Sequence, residues 1–190
     1  MQKIGEFQLT DSVLRVTDPC YTKDTWCAGV LPNCKLGLWE AHIETSDEGS
    51  WGIRVSELYI EHNSFKFLSN AFDWLEKDID VGVDSGQAGF FQDSKYPESM
   101  EEFEFDNDET FYAKCGNATL NTTEHAGIID DFGVVSSSGY GDGSYVCYTK
   151  ELDGVVVVAK IVFISDEIEE MSDDDWKDYV YDEYRDAEEE

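Results

Sequence analysis

The sequence predicts a mostly β protein: an antiparallel β-sandwich or partly closed barrel with one or two short helices and an acidic C-terminal helix or tail. Three observations carry this expectation. Apolar and polar residues alternate in several segments, as in Trp51, Ile53 and Val55 against Gly52, Arg54 and Ser56, which is the period of a strand with one buried face. Turn residues punctuate those segments, most clearly at Leu152-Asp-Gly154 between "YVCYTK" and "VVVVAKIVFI", where an Asp-Gly step between β-rich runs signals a hairpin. Hydrophobic residues make up 41% and aromatics 14% of 190 residues, enough apolar surface to core one domain, 1–165, ahead of a tail, 166–190.

Taken in order, Val13-Leu-Arg-Val16 reads as a short strand stopped by Asp18-Pro19, because proline cannot continue a ladder. "KLGLWEAHIET" and "WGIRVSELYIEH", joined through the turn residues "SDEGS", form an antiparallel hairpin. From Ser64 to Asp78 the spacing of Phe65, Leu68, Phe72 and Leu75 by threes and fours predicts an amphipathic helix. "DVGVDSGQAGFFQDSKYP" reads as a short strand, a glycine-containing bend and a loop, and Asp108 to Cys115 as a second short helix. The valine run and Ile161 to Ile164 predict a central strand covered on both faces. Ser172-Asp-Asp-Asp175 resembles a capping box opening a helix in which Trp176, Tyr179, Val180 and Tyr184 share one side. That side is the expected docking face for a partner.

Charge narrows the partners. The chain has 43 acidic and 13 basic residues, a formal net charge of -30, with fourteen acids and two bases after Ser165. Such a field repels nucleic acid and anionic membranes and attracts divalent cations and basic proteins. No run approaches a signal-peptide core or a membrane span, so a soluble cytoplasmic protein is expected. Five cysteines fit free thiols in a reducing compartment better than a disulfide framework.

"SGYGDGSY", Ser138 to Tyr145, has the glycine density of a phosphate cradle. Phosphate loops, however, open into a helix whose N–H groups face the anion, and here a strand follows. What survives is a tight turn with a carboxylate at its apex. Asp18, Asp84 in "DSG" and Asp93 share that character. If the fold brings Asp18, Asp84, Asp93 and Asp142 together, they offer oxygen ligands for Ca²⁺ or another divalent cation; otherwise each caps its own turn. Cys20, Cys27 and Cys34 recur every seven residues with His42 eight further on, but without a Cys-x-x-Cys pair they read as separate buried thiols rather than a zinc site. The three histidines accompany no nucleophile elbow around Ser136-Ser-Ser138.

In order and spacing, the early "DP", "VDSGQAGFFQD", and "SGYGDGSY" followed by a strand, an Asp-Gly turn and a hydrophobic strand resemble the bacterial and phage proteins grouped as the domain-of-unknown-function-4241 family. The resemblance covers most of residues 5 to 164 and falls on Asp18, Asp84, Gly86, Gly89, Asp93, Gly141, Asp142, Gly143 and Tyr145. It implies a β-rich fold with a cluster of shared loops, encoded by a phage or other mobile element, and it implies no reaction. The cysteines at 20, 27 and 34 and the acidic tail depart from the family pattern.

Three functions fit these observations. The first is a non-enzymatic binding protein that meets a basic protein surface through its charge and a loop site made of Asp18, Asp84, Gly86, Gly141, Asp142, Gly143 and Tyr145. The second is a metal-assisted hydrolase using Asp18, Asp84, Asp93 and Asp142. The third is an acidic mimic of nucleic acid that occupies a DNA- or RNA-binding protein. The first is favoured.

Overall fold

The computed structural model describes residues 1–65 and 73–165. Its strands form two antiparallel sheets. One has six strands in the order β1 (Gln2–Leu9), β4 (Gly37–Asp47), β5 (Ile53–His62), β11 (Val155–Val162), β10 (Gly143–Leu152) and β6 (Leu75–Val83). The other has five, in the order β3 (Gly29–Leu31), β2 (Leu14–Thr17), β7 (Gln87–Gln92), β9 (Gly133–Ser137) and β8 (Ala126–Ile129).

The inner faces of the sheets meet in one apolar core, the β-sandwich that the alternating pattern predicts. Phe7 and Leu9 of β1, Trp39, Ala41 and Ile43 of β4, and Val81 and Val83 of β6 pack with Leu14 and Val16 of β2, Phe90 of β7 and Val134 of β9. Full burial of a large apolar side chain contributes about 1.5–3 kcal/mol, so the fully buried Trp39, Phe7 and Phe90 are among its main anchors.

Both predicted hairpins form. β4 pairs with β5 from Trp39–His62 to Asp47–Ile53. β10 pairs with β11 through Leu152–Val155, leaving Asp153 and Gly154 as a two-residue turn with φ of 52° and 77°, the positive angles such a turn requires. β11 lies between β5 and β10. Val156, Ala159 and Ile161 join the main core, while Val157 and Val158 pack with Tyr59 and Phe65.

Three expectations need correction. Of the predicted helix from Ser64 to Asp78, residues 66–72 lie outside the described residues, and Leu75 to Asp78 are strand. Pairing with β10 decides this: Glu76 stands opposite Tyr148 and Val81 opposite Tyr145, and Val81 and Val83 alternate into the core behind the charged start. "QAGFFQ" is a buried strand, β7, rather than a loop. The second helix, α1, is Phe111–Leu120, starting later than expected because the hydroxyl of Thr110 caps it by accepting from the Ala113 N–H. α1 covers the outer face of the five-stranded sheet, where Phe111 and Cys115 pack on Phe91, Ile129, Phe132 and Val135. The tail, 166–190, with Trp176, Tyr179, Val180 and Tyr184, lies outside the described residues. No described helix is long and apolar enough to cross a membrane.

Candidate functional site

Asp18 follows β2 and is fully buried. One carboxylate oxygen accepts from the backbone N–H groups of Asp84 and Ser85 at 2.9 and 2.7 Å. The other accepts from the Cys20 N–H at 2.8 Å and the Ser85 hydroxyl at 2.6 Å. A buried carboxylate is tolerated when hydrogen bonds replace its hydration, and four donors do so here. Asp18 therefore pins the β6–β7 turn by its backbone, while the side chain of Asp84 stays exposed.

The glycine-rich stretch closes on itself. The Ser138 hydroxyl donates to the Gly141 carbonyl at 2.7 Å, and the Gly141 N–H donates back to the Ser138 carbonyl at 3.1 Å. The Tyr145 hydroxyl lies 2.9 and 2.7 Å from the same two carbonyls. Burial raises its pKa above the usual tyrosine value, which keeps it a donor. Asp142 and Gly143 project outward. This is a tyrosine-closed turn.

The turns at Ser85 and Ser138 are neighbours. Gly143 is the register partner of Val83, and the Ser138 N–H donates to the Gly86 carbonyl at 3.0 Å. Asp18, Asp84, Gly86, Gly141, Asp142, Gly143 and Tyr145 thus belong to one end of the sandwich. Asp93 does not: it stands at the opposite end of β7, where its carboxylate accepts from Arg15 Nε at 2.8 Å. Among the described residues, the groups of three or more potential metal ligands do not include these four aspartates.

The turn at Ser85 forms one wall of a groove of about 550 Å³, which Gly86 lines and Asp18, Asp84, Gly141, Asp142, Gly143 and Tyr145 do not. Ser85, Gly86 and Gln87 line one side, Ile53 to Val55 and Ser137 another, and Tyr112, Thr119, Leu120, His125 and Phe105 the rest. A hydrogen-bond chain connects it to Asp18. The Gln87 amide donates to Ser85 Oγ at 3.3 Å, and Thr119 Oγ1 donates to Gln87 Oε1 at 3.0 Å, so the same carboxylate fixes the end of α1.

Sequence reasoning missed what this groove displays. Ile53, Phe105 and Leu120 are 61%, 52% and 70% exposed, an unusual gathering of large apolar side chains around one concavity. Trp51 and Tyr140 add an exposed aromatic pair at the tip of the β4–β5 hairpin, their rings 6.1 Å apart. Arg54 ties that tip to the groove, its Nε donating to the Trp51 carbonyl at 2.9 Å. Phe105 lies across α1 at Gly116, where a Cβ would come within 2.5 Å of its ring. Around Phe105 the chain is strongly acidic, with seven acids and no base from Glu98 to Glu109. The available signal was the pair Phe103 and Phe105 amid those acids.

The five cysteines are unpaired. Burial pushes the Cys34 and Cys147 thiols up to about 12 and raises Cys115 and Cys20, the latter also through Asp18. These thiols are protonated packing elements rather than nucleophiles. No protein-family model, curated protein or solved structure matches the chain.

Proposed function

We propose that the chain is a non-enzymatic binding protein whose groove takes a basic polypeptide segment carrying an apolar anchor residue. One observation carries this reading: Ile53, Phe105 and Leu120 line a single groove, and the segment that brings Phe105 to it, Glu98 to Glu109, has seven acids and no base, while Arg54 lines the opposite wall. Apolar anchors supply affinity, and charges near the contact select the partner's sign and speed its approach. The net charge of -30 favours the same partner and disfavours nucleic acid and anionic membranes. The protein acts in a reducing cytoplasm, and its membership in the domain-of-unknown-function-4241 family and its origin in a mobile element are part of the proposal, supported by the shared motifs.

The hydrolase reading finds no comparable support. Asp18 already accepts four hydrogen bonds, and Asp93 is ion-paired at the other end of β7.

Fluorescence anisotropy with two labelled peptides of equal charge tests the proposal, one alternating lysine with leucine and one alternating lysine with serine. The leucine peptide is expected to bind roughly tenfold or more tightly, since one buried side chain contributes more than the 1.4 kcal/mol that tenfold requires. Phe105→Ala combined with Leu120→Ser should erase the difference. Equal binding of the two peptides by the unmodified protein would mean that charge alone attracts them, as a nucleic-acid mimic would, and would overturn the groove.

A further inference from the structure

A cluster of potential metal ligands lies on the outer face of the six-stranded sheet, remote in kind from the apolar groove. Glu40 and His42 are two apart on β4 and so share a face, opposite to that of Trp39, Ala41 and Ile43. Glu61 on β5 is the direct register partner of Glu40. Like charges directly opposite one another in a sheet are unfavourable, and this pair is largely buried, with side-chain exposures of 7% and 12%. His42 Nε2 stands 3.8 Å from Glu40 Oε2 and 3.8 Å from Glu61 Oε1. One oxygen of each glutamate is thereby directed at the same imidazole nitrogen, and the three atoms lie within 4.8 Å of one another.

The opposite oxygen of each carboxylate has an orienting neighbour. Lys3 Nζ is 3.2 Å from Glu40 Oε1, and the Tyr59 hydroxyl donates to Glu61 Oε2 at 3.2 Å. Groups outside a ligand set that fix the direction of its members are a regular part of metal sites. The 3.8 Å separations exceed a hydrogen bond, yet they are close to the roughly 3.4 Å between ligands arranged tetrahedrally about 2.1 Å from an ion. A small inward movement of three side chains closes that difference.

We propose that Glu40, His42 and Glu61 bind one zinc-class divalent ion. One imidazole and two carboxylates suit Zn²⁺ better than Ca²⁺ or Mg²⁺, which take oxygen ligands. The ion would join β4 to β5 and offset the opposed glutamates.

Isothermal titration with ZnCl₂ in excess MgCl₂, which occupies the diffuse acidic surface, tests the proposal on the full chain. One Zn²⁺ per chain is expected, weakened at least tenfold in His42→Ala and in Glu61→Gln, with the melting temperature of the unmodified protein raised by the metal and that of both variants unmoved. Co²⁺ in place of Zn²⁺ should show a visible band without an intense thiolate-to-metal absorption. Absence of a stoichiometric Zn²⁺ site, unchanged affinity in both variants, or a thiolate band would each overturn it. Since both variants lie away from the groove, failure here leaves lysine–leucine peptide binding intact.

Discussion

Asp18 and Ser85 are joined twice, the carboxylate accepting from the Ser85 N–H at 2.7 Å and from its hydroxyl at 2.6 Å. The pair links β2 to the β6–β7 turn, and through Gln87 and Thr119 to the end of α1. Replacing Asp18 by Asn removes one acceptor and turns an amide N–H₂ toward donors. The expected loss is about 3 kcal/mol, given about 1.5–3 kcal/mol for each hydrogen bond to a charged group. Asp142→Asn, on an exposed apex, should change stability by no more than about 0.5 kcal/mol. Urea denaturation of both variants separates the cases, and equal losses would contradict the assignment of Asp18 as the clamp.

Gly116 is a glycine inside a helix, where alanine is ordinarily more stable by about 0.5–1 kcal/mol. Here a Cβ would meet the Phe105 ring edge at 2.5 Å, and that half-exposed ring can swing away. Gly116→Ala should therefore leave the melting temperature equal or higher while lowering affinity for the lysine–leucine peptide. Unchanged affinity would show that Phe105 does not contribute from its present position.

His62 predicts an acid-sensitive edge to the fold. Its Nε2–H donates to the Leu36 carbonyl at 2.9 Å, and its Nδ1 accepts from the Ser64 hydroxyl at 2.7 Å, an arrangement that requires the neutral ring. Burial, with the nearby Lys35 charge, lowers its pKa below 6.5. The unfolded chain thus takes up the proton first as pH falls. Stability from His62 is complete above about 6.5 and is lost as pH drops through the folded value. Melting curves from pH 7.5 to 5 should show a decline that is smaller in His62→Gln; identical declines would assign it to the carboxylates.

The thiols should be slow to react. Ellman's reagent at pH 8 should modify the native protein far more slowly than the unfolded chain, in which five thiols become accessible, because burial holds Cys34 and Cys147 at about 12. Rapid native labelling would contradict a sealed core.

Much of the architecture was legible because local chemistry and tertiary structure agree: the Asp153-Gly154 turn and the alternation on β5 each specify a hairpin without help from the rest of the chain. β7 was not legible, since a strand buried on both faces between β2 and β9 shows no alternation. β6 was masked by Glu76, Lys77 and Asp78 at the start of an edge strand, residues suited to an exposed edge and equally to a helix surface. The loop motifs were visible, but nothing in the sequence says that the Asp84 and Ser85 N–H groups point at Asp18. The groove was hidden for another reason: Ile53, Phe105 and Leu120 come from three distant segments, and any one of them alone reads as ordinary core.

The groove is located most directly by ¹⁵N NMR during titration with the lysine–leucine peptide. The shifts are predicted to concentrate at Ile53, Arg54, Gly86, Phe105, Tyr112 and Leu120, with little change on β1 or at the Asp153-Gly154 turn. Shifts spread over acidic residues on all faces, with none concentrated at these six, would contradict it.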